Sequence, residues 1–250
     1  MTVLENKSTH SYLVFGATGG IGSELCRQLA AQGANLVIAG RNEDKLRALA
    51  EECRGFPYSL DATRFDDVDS CVEKARQMHT QLDGIACCLG SLLLKPAHST
   101  SPTEWNSIIS TNLTSAFAVL RAGARAMMLT GGSIVLVSSA AARVGLANHE
   151  AIAAAKAGVI GLVLSAAATY ASRGIRVNCV APGLVRTPMT ARLTENEVSL
   201  KASLAMHALG RLGEPADVAR AIAWLLSPEQ SWVTGQVIGV DGGLGSIRSR

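Results

Sequence analysis

Charge is scarce in this chain. Asp, Glu, Lys and Arg make up 17% of its 250 residues, against roughly 25% in average soluble proteins. With 48% hydrophobic residues, disorder is excluded, because a disordered chain is poor in apolar residues and rich in net charge. The net charge is only +3 and no two Lys or Arg residues are adjacent, so the clustered basic footprint of a nucleic-acid binder is missing. Long apolar runs are missing too. The most apolar stretch, Ala157 to Ala168, is interrupted by Ser165 and falls short of the roughly 20 residues a membrane span needs. The opening MTVLENKSTHS is polar and lacks the apolar centre of a secretory signal. Six cysteines and five histidines are scattered, with no Cys-x-x-Cys pair, which argues against a metal site or a dithiol. A chain this long buries a core without disulfides. These absences predict a cytoplasmic protein with free thiols, no metal, no nucleic-acid partner and no membrane partner.

What is present is an alternation. Short β-type runs at Tyr12–Gly16, Asn35–Ala39, Phe56–Leu60, Gly84–Cys88, Ser133–Ser138, Ile175–Ala181 and Gln236–Val240 are separated by segments of helical period. Those segments lie at about 20–32, 43–53, 65–80, 103–128, 149–172 and 214–227. Runs such as SIVLVS and NLVIA are continuously apolar, as strands covered on both faces must be. The pattern predicts an α/β fold, a doubly wound parallel sheet of about seven strands in three α/β/α layers. No linker-like composition shift appears, so residues 1–250 read as one nucleotide-binding domain. Residues 184–213 break the rhythm just after a strand's carboxyl end, where open α/β sheets bind ligands, and are expected to form a substrate lid.

The first strand runs into Gly16-Ala17-Thr18-Gly19-Gly20-Ile21-Gly22 and then a helix. Gly16 suits a tight turn, Gly20 lets backbone approach a pyrophosphate, and Gly22 allows close packing. The helix N-terminus offers free N–H groups to phosphates. A plain turn would also use glycine, but the strand before and helix after favour nucleotide binding. At the end of the second strand stands Gly40-Arg41-Asn42 rather than an acidic residue. An acid there would hold a ribose 2′-hydroxyl; Arg41 suits a 2′-phosphate, and NADP over NAD, unless it is merely a surface arginine. Asp61, ending the third strand, is placed for the adenine side or for a turn.

Taken together, GATGGIG, Asp61, Asn112 in STNLTSAF, Ser139 in VLVSSAA, Lys156 in AAAKAGV, RVNCVAPGLVRTP and TGQVIGVDGG resemble the short-chain dehydrogenase/reductase family over residues 11–244. Ser139 stands 17 residues before Lys156, as that family's spacing requires. The resemblance implies a Rossmann-type NAD(P)-dependent oxidoreductase acting on a small molecule, usually a homodimer or homotetramer. It implies that Lys156 holds the nicotinamide ribose and that Pro182, Gly183, Val185 and Thr187 border the nicotinamide. Thr18, Ile21, Ala62 and Gly90 would complete the cofactor cradle. Three departures stand out. Ile152 occupies the place of the tyrosine in the family's Tyr-x-x-x-Lys pattern, Cys87-Cys88-Leu89-Gly90 replaces Asn-Asn-Ala-Gly, and Phe15 replaces a threonine.

Losing the tyrosine matters chemically. Hydride transfer to a ketone leaves an alkoxide needing a proton, and a positioned acid contributes about 10²–10⁴-fold. Isoleucine donates nothing. Ser139 can still donate a hydrogen bond to a carbonyl, and Asn112 with Lys156 can organise water. His149 is a candidate substitute, seven residues before Lys156 and three before Ile152 on one helix face. Against it, helical side chains lean toward the N-terminus, away from the position of Ile152; local packing is the alternative. The leading expectation is an NADP(H)-binding oxidoreductase reducing a carbonyl, or oxidising an alcohol, on a small, mostly apolar substrate. Two alternatives stay open: a catalytically silent nucleotide-binding subunit, and an enoyl (C=C) reductase using His149.

Overall fold

The computed structural model describes residues 10–79 and 81–247. Most of the polar opening, Thr80 at the end of the expected third helix, and the last three residues of the tail lie outside the described residues. The seven apolar runs form β1 (Ser11–Phe15), β2 (Asn35–Gly40), β3 (Phe56–Ser59), β4 (Gly84–Cys87), β5 (Gly132–Val137), β6 (Ile175–Pro182) and β7 (Val237–Val240). All join one parallel sheet in the order β3-β2-β1-β4-β5-β6-β7.

Both faces of that sheet are covered, which is why its central strands read as unbroken apolar runs. On one face Leu25, Leu46 and Ile222 pack from α1 (Gly20–Ala31), α2 (Glu43–Cys53) and the late helix Pro215–Leu226. On the other, Val68, Val119 and Val163 pack from α3 (Phe65–Met78), Ser115–Met127 and Glu150–Tyr170. The chain order reverses between β1 and β4, which leaves a crevice at their carboxyl ends. Their register pairs Phe15 with Cys87, so Gly16 and Cys88 emerge side by side at that crevice.

The expected helix over 103–128 is divided. A capping box between Ser101 and Glu104, with Pro102 in the first turn, starts α4 (Pro102–Ile109). A π-helical turn, Ser110–Thr114, then leads into α5 (Ser115–Met127). There Asn112 donates to the Ile108 carbonyl and Ser115 to that of Thr111, side-chain bonds that compete with the ordinary helical ladder. α6 (Glu150–Tyr170) begins with His149 as its N-cap residue. Ser165 does not interrupt this helix; with the following turn it is long and apolar enough by length and composition to cross a membrane. Its inner residues Val159 and Val163 are nevertheless packed in the sheet core, as a core helix requires. Residues 184–213 hold two short helices, α7 (Ala191–Thr194) and α8 (Glu197–Met206), before α9 (Pro215–Leu226).

Two glycines report on this packing in opposite senses. A Cβ on buried Gly84 would sit 2.9 Å from Leu226, 3.0 Å from Tyr12 and 3.1 Å from the Ser133 carbonyl, whereas at Gly145 it would meet nothing within 4 Å. Gly84→Val is therefore expected to lower unfolding free energy by about 1–3 kcal/mol through overpacking. Gly145→Ala should raise it by about 0.4–1 kcal/mol through the unfolded chain. Urea denaturation midpoints at unchanged slope check both.

Candidate functional site: two joined cavities at the strand carboxyl ends

The glycine turn after β1 has no room for side chains. Gly16 has φ +70°, and a Cβ there would lie 2.8 Å from the Cys88 carbonyl carbon; at Gly22 it would collide with the Gly16 carbonyl oxygen. At Gly20 the neighbour is the Thr187 methyl, 2.7 Å from an added Cβ. Beside the turn opens a cleft of about 260 Å³. It is lined by Gly16 and Thr18, by Arg41, Asn42 and Lys45, and by Asp61, Ala62 and Gly90. The Asp61 carboxylate accepts bonds from the Thr63 backbone N–H (3.0 Å) and hydroxyl (2.8 Å). Those bonds, more than the nearby Arg41 charge, hold it below the usual carboxylate range. It thus forms a turn and lines the cleft at once. Lys45 escaped the sequence reading. Asn42 caps α2 by accepting the Lys45 N–H at 2.9 Å, and that cap, visible as Asn before an acidic turn, was the available signal.

Cys88, Leu89, Gly90 and Met189 line both this cleft and a second cavity of about 400 Å³. Its walls bring together Ser139, Asn112, His149, Ile152 and Lys156, with Pro182 and Gly183 at one side. Most of the remainder is apolar, including Leu92, Leu146, Leu184 and Leu193. Lys156 is buried, and its Nζ donates to the Val137 carbonyl at 2.9 Å and that of Leu89 at 3.4 Å. Loss of hydration pushes its ammonium below the usual lysine value. Ser139 Oγ accepts the Ala141 N–H at 3.2 Å. Ile152 faces the cavity one turn before Lys156 and packs with Ile108 and Ala155.

Asn112 is committed locally. Its Nδ2 donates to Ser91 Oγ (2.9 Å) and the Ile108 carbonyl (3.0 Å), while its Oδ1 accepts the Ser91 N–H (3.1 Å). Ser91, another cavity residue, had no sequence signal. His149 Nδ1 lies 2.7 Å from the Ala147 carbonyl oxygen. A carbonyl only accepts, so Nδ1 carries the proton and Nε2 stays available. Burial raises the thiols of Cys87 and Cys88, which keeps them protonated and inert. All six cysteines are free, and among the described residues no cluster of metal-ligating side chains occurs.

Ile21, Val185 and Thr187 do not line either cavity. Val185 is buried in a bridge to Gly213, and the Thr187 hydroxyl bonds that of Thr190 at 3.0 Å while its methyl covers Gly20. The sequence reading also missed His207, a wall residue carried by the segment after α8.

Known proteins resemble this chain in sequence and in fold. A family model described as enoyl-(acyl carrier protein) reductase matches residues 16–245. The chain is 37% identical over 242 residues to the 3-oxoacyl-[acyl-carrier-protein] reductase FabG of Thermotoga maritima, covering 93% of this chain and 96% of that protein. It superimposes with a TM-score of 0.92 on a short-chain type dehydrogenase/reductase from Mycobacterium ulcerans, at 34% identity over 96% of this chain and 91% of that one. An actinorhodin polyketide ketoreductase crystallised with NADPH gives a TM-score of 0.89 at 29% identity, covering 96% and 98%. The chain therefore belongs to the short-chain dehydrogenase/reductase family of oxidoreductases.

Proposed function

We propose that this chain uses NADP(H) to reduce a carbonyl group, or to oxidise the corresponding alcohol, on a small and mostly apolar molecule. One observation carries the reading: a cleft lined by two cations, Arg41 and Lys45, shares Cys88, Leu89, Gly90 and Met189 with a largely apolar cavity lined by Ser139 and Lys156. The residues fit such a cofactor, because Gly16 and Gly22 leave backbone bare where a side chain would collide. Gly16, Thr18, Asp61, Ala62 and Gly90 would hold its adenosine and phosphates, Arg41 with Lys45 its 2′-phosphate, and Lys156 with Pro182 and Gly183 its nicotinamide end. When bound, the cofactor supplies or accepts the hydride.

The chain's own groups orient the substrate oxygen. Ser139 Oγ accepts from Ala141, which leaves its proton for a substrate oxygen. The Lys156 ammonium adds positive potential where negative charge develops. Ile152 contributes no proton. His149, with Nδ1–H spent on Ala147, directs Nε2 as the one imidazole atom free to exchange a proton. A second reading is favoured by Ile152 itself: a nucleotide-binding subunit without turnover, whose cavity retains orienting groups but no acid. His149 as acid to a C=C reduction is distinguished by turnover of enoyl rather than carbonyl substrates.

A second copy of the chain is the proposed partner. α6 leaves Ala157, Gly161, Leu164 and Ala168 exposed as one stripe, and Phe117 on α5 is 42% exposed. Ala157, Gly161 and Ala168 are small enough to let helices of two chains approach closely, and Leu164 offers apolar surface to cover.

NADPH is expected to bind more tightly than NADH in fluorescence titrations. Arg41→Ala should weaken NADPH alone, by about 1.5–3 kcal/mol for a lost charge-assisted bond. Equal or tighter NADH binding contradicts this. Ile152→Tyr should raise ketone reduction by roughly 10²-fold if the missing phenol limits turnover. If His149 supplies the proton, that variant changes little and His149→Ala abolishes activity; no response from either, with NADPH bound, supports the silent subunit. Sedimentation at micromolar concentration should show a mass above the 26.0 kDa of one chain, and a monomer would contradict the proposed pairing.

A further inference from the structure

We propose that His207 sets the depth of the substrate cavity by forming the partition between it and a neighbouring cavity of about 510 Å³ that carries charged side chains. The proposal rests on the reading of the apolar cavity as the place of the substrate. Gly183, Leu184 and His207 line both cavities, so the two are separated by this one wall. His207 is 3% exposed and its ring is bonded at both ends. Nδ1 lies 2.7 Å from the Ser203 carbonyl oxygen, which only accepts, so Nδ1 carries the proton. Nε2 then accepts the Leu184 N–H at 3.1 Å. The ring thus spans from α8 to the loop after β6. Gly183 makes room for it, since a Cβ there would stand 2.6 Å from Nε2.

The chambers on either side differ in chemistry. Leu193, Met206 and Ile152 line the near one. The far one holds Arg211 and Arg220, both paired with Asp217 at 2.7 and 3.0 Å. An apolar substrate that ends before His207 is fully housed. A longer one meets an imidazole that cannot swing without leaving the buried Ser203 carbonyl and the part-buried Leu184 N–H unpaired. His207 is therefore a specificity-determining residue, limiting the length of the apolar substrate, rather than a catalytic one.

The test is binding of a homologous series of unbranched alkan-2-ones, measured calorimetrically, to the wild-type protein and to His207→Ala. Each added methylene should tighten wild-type binding about fourfold until the chain end reaches the imidazole, and no further beyond it. In His207→Ala the break should move to longer ketones, so that the longest gains about tenfold over wild type when each is scaled to the shortest ketone. His207→Gln, which fills similar space and offers an acceptor to Leu184, should restore the wild-type break. Should His207→Ala fail to fold by circular dichroism, His207→Asn takes its place, keeping a donor for Ser203 but ending short of Leu184. The same break in every variant overturns the proposal. So does uniform weakening at all lengths, the mark of a residue that only staples the lid, and so does wild-type affinity without dependence on length. Binding is read without turnover, so failure to bind NADPH or to reduce a ketone counts against the functional reading alone.

Discussion

A buried ammonium with carbonyls for company, and among the described residues no carboxylate within ion-pair distance, is the constraint on which the site depends. Lys156 Nζ donates to Val137 at the end of β5 and to Leu89 just beyond β4. The Lys156 carbonyl in turn accepts the Ser138 hydroxyl at 2.8 Å. The backbone of Lys156 thus ties α6 to the carboxyl edge of the sheet, and its side chain reaches the same edge. Taking that charge out of water costs several kcal/mol before the carbonyls compensate, which accounts for the downward push on the ammonium. Small neighbours make the arrangement possible. Ala155 and Ala151 let the helix approach, and a side chain on Gly90 would stand 3.5 Å from Nζ and 3.2 Å from Asn112 Oδ1.

The described side chains around that charge leave it without an anionic neighbour. Cys87 and Cys88 are held neutral by burial, so they offer Lys156 no anion. Ile152 offers no phenol. Asn112 spends its amide on Ser91 and Ile108. The ammonium remains the strongest polar feature of an otherwise apolar cavity, close to the groups proposed to orient a substrate oxygen.

The fold was readable because its signals are local. Unbroken apolar runs mark strands buried on both faces, and each of the seven strands begins within one residue of its expected start. The π-helical turn at Ser110–Thr114 was not readable, because it keeps helical composition and period while inserting one extra residue. Arg41 could be assigned from its place at a strand end; Lys45 was missed because it reaches the cleft only through the start of α2, which the Asn42 cap marks. Ser91 and His207 carry no motif, and their significance comes from bonds to residues 21 and 23 positions away. Thr187 and Val185 carried a motif, yet packing directs them to Gly20 and to Gly213 rather than into the cavities.

The central claim is that the Lys156 ammonium is retained for a bound nicotinamide end and not for folding. Thermal denaturation of Lys156→Met at increasing NADPH tests it most directly. Without NADPH the variant should melt at or above the wild-type temperature, because a methionine avoids the cost of a buried, unpaired charge. With NADPH its rise should be much smaller, since the rise follows the ratio of ligand concentration to dissociation constant. A lower melting temperature combined with an undiminished NADPH-dependent rise would assign Lys156 to structure alone and contradict the account.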